Sequence, residues 1–209
     1  MRKHSERVRE YFLLNINAVI KLLIISDVIW VGSLGLLTPI FSLFIVGFID
    51  GGNAVVAGTA AAIYLVVKSI FQIPAAMIID KIKGEKDDFY VLFFGSLCAG
   101  LVPLSYLFIH TPAQLYAVQF LYGLVVAFTF PSFMAIFTRH IDKNKEGTEW
   151  GAYFTLTDFT TAIAASIGGV LAQFLGFHVL IVVMVCISIC GISMMYPIRK
   201  HVYKRRRAG

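Results

Sequence analysis

Charge is the scarcest ingredient of this sequence. Only 14% of its 209 residues are Asp, Glu, Lys or Arg, where a soluble domain carries about 25%. So few ionic side chains cannot cover a water-facing surface, while 58% of the residues are hydrophobic and the mean hydropathy is +0.81. A soluble globular domain is thereby excluded. Cysteine is also sparse. Cys98, Cys186 and Cys190 all lie inside apolar runs and form no CxxC, which excludes a zinc ribbon or a disulfide framework and leaves three small hydrophobes expected to be buried. The histidines are scattered, His110 and His178 near one set of run ends and His140 and His201 near the other, with no metal-ligand spacing. A nucleophile–base motif and a phosphate-cradling glycine loop are both missing, so an enzyme, a metal and a cofactor are not expected. The short alternating segments of a membrane barrel are absent as well.

What is present is a succession of long apolar runs. They predict an all-α membrane protein with six transmembrane helices, at residues 18–48, 55–80, 89–109, 112–138, 149–175 and 178–197. Each run can cross a hydrocarbon core of about 30 Å at about 1.5 Å per residue. The first run is far longer than a signal-peptide core, so it reads as a retained span behind the basic stretch "MRKHSERVRE". Turn chemistry marks the gaps. "DGGN" (50–53) separates the first two runs, Thr111-Pro112 supplies a capping hydroxyl and a first-turn proline to the fourth, and Thr148 with Glu149 is expected to start the fifth.

Lysine and arginine are distributed unevenly. They gather in the N-terminal segment (Arg2, Lys3, Arg7, Arg9), the second gap (Lys81, Lys83, Lys86), the fourth gap (Arg139, Lys143, Lys145) and the C-terminal "KRRR" region, and are missing from the other three gaps. The positive-inside rule then places both termini in the cytoplasm, as an even number of crossings requires. The expected organisation is one domain over 1–209, with a cytoplasmic segment at 1–17 and a basic cytoplasmic tail at 198–209, in a membrane that is expected to be prokaryotic and cytoplasmic. Net charge +6 with pI near 9.3 therefore reads as topology and contact with anionic lipid, not as nucleic-acid binding.

One stretch is unusually dense in charge. "IPAAMIIDKIKGEKDDF" (73–89) passes from an apolar run into a knot of both signs and back. On physics alone it is a tight turn whose basic residues pin it inside. It also resembles the signature loop of the major facilitator superfamily. Asp80-Lys81 matches the acid–base pair, and Gly84 and Lys86 match the motif's tail. Ala76 stands in place of the leading glycine, and Lys83 is one extra residue. "SDVIWVGSLGLLTPIF" (26–41) resembles the family's first span. "QFLYGLVVAFTFPSF" (119–133) resembles the fourth, with Gln119 where many members carry Arg. "TAIAASIGGVLAQFLGF" (161–177) resembles the fifth, with Ala164-Ala165 in place of the antiporter-type Gly-Pro.

The resemblance extends along the chain and implies one six-span half of a fold that has twelve spans in two halves, each half a three-plus-three inverted repeat. Pro39-Ile40-Phe41 echoes Pro131-Ser132-Phe133 in keeping with such a repeat. It further implies a secondary transporter moving a small solute by alternating access, with a homodimer rebuilding the full architecture. Two alternatives stand beside it: a non-transporting membrane module or assembly partner with the same half-fold, and the N-terminal half of a longer protein.

Ionisable residues inside spans are costly, about 2.5–3.5 kcal/mol at a helix centre, and so are functional candidates. They are Asp27, Lys68 and Asp158. Lys68 is expected to pair with Asp27 or Asp158, leaving the other acid to carry a proton or meet a cationic group; a pair that only fixes helix register is the structural alternative. Gln72, Gln119, Tyr122, Thr129 and Thr157 could line a path or act as interhelical glue. Lys21 is expected to snorkel at the inner edge.

Overall fold

A computed structural model describes residues 16–82 and 84–205. The basic N-terminal residues Arg2 to Arg9, Lys83, and Arg206 and Arg207 lie outside the described residues. The described chain is helical: α1 (Ala18–Leu34), α2 (Phe41–Phe48), α3 (Ala54–Lys81), α4 (Lys86–Leu101), α5 (Pro112–His140), α6 (Glu146–Ser193) and α7 (Ile198–Arg205). Short 3-10 turns, Thr38–Ile40 and Val102–Leu107, extend α1 towards α2 and continue α4.

Five helical runs are long and apolar enough to cross a membrane, where the sequence pattern predicts six. The difference lies in the last run, where the predicted fifth and sixth spans fall within one helical segment interrupted at Gly176, with φ 81° and ψ 165°. Only glycine adopts that conformation without strain. The limbs on either side, 146–175 and 177–193, do not continue in line. Tyr153 bonds to Asp27 at 2.6 Å, and a Cβ on Gly191 would lie 2.9 Å from the nitrogen of Trp30. Residues 153 and 191 of one straight helix would be about 57 Å apart, yet both touch the same turn of α1. The limbs therefore lie side by side, with α1 against both.

Local chemistry explains most helix ends. Asn53 caps α3 by accepting from Val55 N and Val56 N at 2.9 and 3.0 Å, and Thr111 with Gln114 forms a capping box on α5. The first predicted span, 18–48, keeps its bounds as one apolar run, but a 3-10 turn that has Pro39 at its start separates α1 from α2 within it. Pro131, its proposed echo, stays inside continuous α5. The helix expected to start at Thr148 starts instead at Glu146 after Lys145, with no side-chain cap.

Packing relies on small residues. Extra side-chain atoms on Gly168 would collide with the Leu36 carbonyl, and on Gly32 with Thr160, so α1 and the first limb of α6 approach backbone to backbone. Gly123 brings α5 onto Tyr64 of α3 in the same way. Two main apolar clusters fill the bundle. One surrounds Phe44, Leu115 and Met184; the other, at the basic end, surrounds Leu23, Phe137 and Met195. The cysteines differ from expectation: Cys98, Cys186 and Cys190 are exposed and unpaired, because they occupy the outward faces of α4 and α6. In an apolar solvent such faces need no polar cover.

Gly168→Leu is expected to disrupt the α1–α6 contact by at least about 1–3 kcal/mol. Thermal unfolding in detergent checks this, with Gly147→Ala, which has open space around it, expected to melt like the parent.

Candidate functional site

The five polar or charged candidates of the spans separate into distinct places. Asp27 is buried in α1 and accepts a hydrogen bond from the Tyr153 hydroxyl at 2.6 Å. Tyr153 is held by an aromatic cluster, with Phe133 at 5.3 Å and Trp150 at 5.8 Å between ring centroids. This carboxylate is thus fixed between α1 and α6. Lys68 is half-buried on α3, and its Nζ lies 5.0 Å from the centre of the Phe130 ring, a cation–π contact. It pairs with neither Asp27 nor Asp158, contrary to expectation; the ion pairs of the described residues include Arg139–Asp88, His140–Glu85 and Lys145–Asp142. Asp27 is instead enclosed by α1 and α6. Asp158 is exposed on α6, and Gln72 is half-buried on α3.

Gln119 lies in a different setting. It is buried on α5 and donates from Nε2 to the Tyr106 hydroxyl at 3.1 Å. Beside it opens a cavity of about 340 Å³, whose polar lining comes from Thr38, Tyr64, Tyr106, Gln119 and Tyr122. The volume falls in the range of small-molecule sites, about 300–1,000 Å³. Helices α3 and α5 supply facing rings, Tyr64 and Tyr122 at 5.1 Å. Thr38 and Phe41, from the turn at Pro39 and the start of α2, also line the cavity wall, and the Phe41 ring lies tilted against Tyr106 at 5.2 Å between centroids. No ionisable acid or base other than tyrosine contributes to this wall. The chemistry offered is a neutral amide, phenolic hydroxyls and flat aromatic faces. That suits an uncharged solute or one with a planar or weakly polar portion, not a strong anion.

The signature-loop residues lie at the basic end. Asp80, Lys81, Gly84 and Lys86 are exposed and Ala76 is half-buried. Gly84 has φ 130°, which lets the loop turn sharply into α4. Residues not singled out in the sequence anchor this end. Asp88, fully buried, accepts from Arg139 and so ties the start of α4 to the end of α5. His140 Nε2 and Glu85 form a second contact at 3.6 Å. Both pairs join gap residues that sequence reading treated only as topology signals. Tyr106 and Tyr153 were missed for a related reason, since a tyrosine in an apolar run carries no pattern that reveals what its hydroxyl meets. Thr129 and Thr157 donate to carbonyls one turn back in their own helices, those of Val125 and Tyr153, at 2.8 Å each. Lys21 is exposed near the basic end of α1, where a snorkelling stem is expected.

The sequence profile of the Major Facilitator Superfamily matches residues 23–209. No curated protein and no solved structure matches the chain.

Tyr153→Phe leaves the buried Asp27 carboxylate without its donor and is expected to cost about 1–3 kcal/mol. Adding Asp27→Asn should recover part of that loss. A double-mutant cycle of unfolding free energies in detergent measures the coupling; strict additivity would contradict it.

Proposed function

The chain belongs to the major facilitator superfamily, and from that membership we propose that it is a secondary transporter that moves a small solute across the membrane by alternating access. It is an integral multi-pass membrane protein, as the five long apolar runs and the family membership together indicate. The observation that carries the reading is the cavity walled by α3, α5 and the bend after α1, with the Gln119–Tyr106 hydrogen bond at its base. A pocket with convergent neutral polar groups among aromatic walls is what solute selection without ionic capture requires.

The proposed arrangement is a single domain with six crossings and both ends in the cytoplasm. The hairpin at Gly176 supports a sixth crossing, because it turns the last long run into two antiparallel limbs of membrane-spanning length. The gathering of Lys and Arg at one end of the bundle supports the orientation, and a prokaryotic cytoplasmic membrane remains the proposed location. The six helices form one side of a pathway. A second copy, related by an axis along the membrane normal, would supply the other side, and rocking of one copy against the other would expose the cavity alternately.

A second reading is a membrane module or assembly partner that keeps the fold without transporting. Asp27 favours it: this buried acid is engaged by Tyr153 and does not line the cavity. Uptake into proteoliposomes separates the two readings, since a partner module moves no solute.

Two outcomes are expected. A screen of neutral solutes by thermal shift in detergent should yield ligands whose affinity falls about tenfold in Gln119→Leu or Tyr106→Phe, corresponding to about 1.4 kcal/mol. Hits that bind both variants unchanged would remove the cavity from the mechanism. Labelling with a membrane-impermeant maleimide should place Gly51→Cys and His178→Cys on one side, and Gly84→Cys and Lys143→Cys on the other. If position 178 labels with position 143, there is no sixth crossing.

A further inference from the structure

Lys68 and Asp158 stand in the middle of apolar helices, and neither is in an ion pair among the described residues. Their depths correspond. Lys68 is about 20 Å along α3 from its basic-end terminus at Lys81, and Asp158 about 18 Å along α6 from Glu146. Both belong to helices with two unlike outer sides. On α6, the side of Asp158 carries Gly151, Thr155, Ala162, Ala165 and Gly169, spaced alternately by four and three; the other side carries Leu156, Phe159, Ile163, Val170 and Phe174, all exposed. On α3, the side of Lys68 carries Gly58, Ala61, Leu65 and Gln72 at the same alternating spacing, and the other side carries Val66, Ile70, Ile73 and Met77. Bulky aliphatic and aromatic sides suit lipid. The small residues of this period along α6, and Gly58 and Ala61 on α3, suit another helix.

The helices also occupy matching places. α3 packs on α5, the first limb of α6 packs on α1, and α1 touches α5, so α3 and α6 lie on opposite flanks of one row. Two such rows facing each other about a two-fold axis along the membrane normal run in opposite directions. The flank bearing α3 in one copy then meets the flank bearing α6 in the other, twice over. We propose that this protein forms a two-fold homodimer in which Lys68 of each protomer pairs with Asp158 of the other, where the small-residue seam of α6 meets α3. A second copy is the favoured occupant because the row is self-complementary: its cation and its anion lie at similar depth on opposite flanks, and one symmetry axis pairs both. The pairing rests on the two-copy transporter reading above and adds which residues form the seam.

The test uses the full chain with Cys98, Cys186 and Cys190 changed to Ser, reconstituted in lipid vesicles. Copies carrying K68C and copies carrying D158C, differently tagged, are mixed and oxidised. Disulfide dimers bearing both tags are expected, in clear excess over like-with-like dimers and over a control mixture of I73C and F174C. Independently, K68D or D158K alone should raise the dimer dissociation constant at least about tenfold, and the combined exchange should restore it. Dimers that crosslink through positions 73 and 174, or a combined exchange that restores nothing, would overturn the pairing while leaving a homodimer standing. Monomers alone by native mass spectrometry from lipid discs would overturn the homodimer too, even if solute uptake persisted.

Discussion

The structure depends on how closely α1 can approach the two limbs of α6. In lipid there is little hydrophobic gain from bringing helices together, so contact must come from backbone proximity, dispersion and hydrogen bonds. Gly32 and Gly168 allow the first limb to meet α1, and Gly191 allows the second. Ser33 and Ser188 then bond hydroxyl to hydroxyl at 2.6 Å, and Tyr153 reaches Asp27. Each polar link is short because the glycines let the backbones close. The returning limb is possible only because Gly176 takes a positive φ, so one residue type serves both the turn and the fit.

The rest of the bundle is organised around this clasp. α5 touches α1 lightly and joins α3 to it, with α4 behind, tied to the end of α5 through Asp88 and Arg139. The ion pairs gather at the basic end, and an amide with phenols lines the cavity. A site deep in the bundle is served by an amide and phenols, which hydrogen-bond without a charge to desolvate.

Much of the fold was legible in the sequence because lipid imposes a simple requirement. Every crossing needs a long apolar run, and the gaps between runs carry caps such as Asn53 and Thr111. The gap around Gly176 also falls between two predicted spans, and the chain is helical on both sides of it. The break at Pro39 was less visible, since the same residue type at position 131 leaves its helix continuous, and the outcome is decided by neighbours rather than by the proline. The site was legible only in part. Gln119 was recognised as a polar residue in an apolar run, but its partner Tyr106 comes from another helix, and only the packing reveals it. Lys68 and Asp27 looked like natural partners by depth, yet depth does not tell which side of a helix a residue occupies.

The turn at Pro39 divides the first crossing into two mechanical parts. Below it, α1 carries Asp27, Ser33 and the glycine contacts, all locked to α6. Above it, the eight residues Phe41–Phe48 are linked to the lower part by the 3-10 turn, in which Thr38 Oγ1 donates to the Leu34 carbonyl at 2.8 Å. Phe41 on the cavity wall rides with this upper piece. That side of the chamber is therefore shaped by how the upper piece packs around Phe44, separately from the anchor beneath.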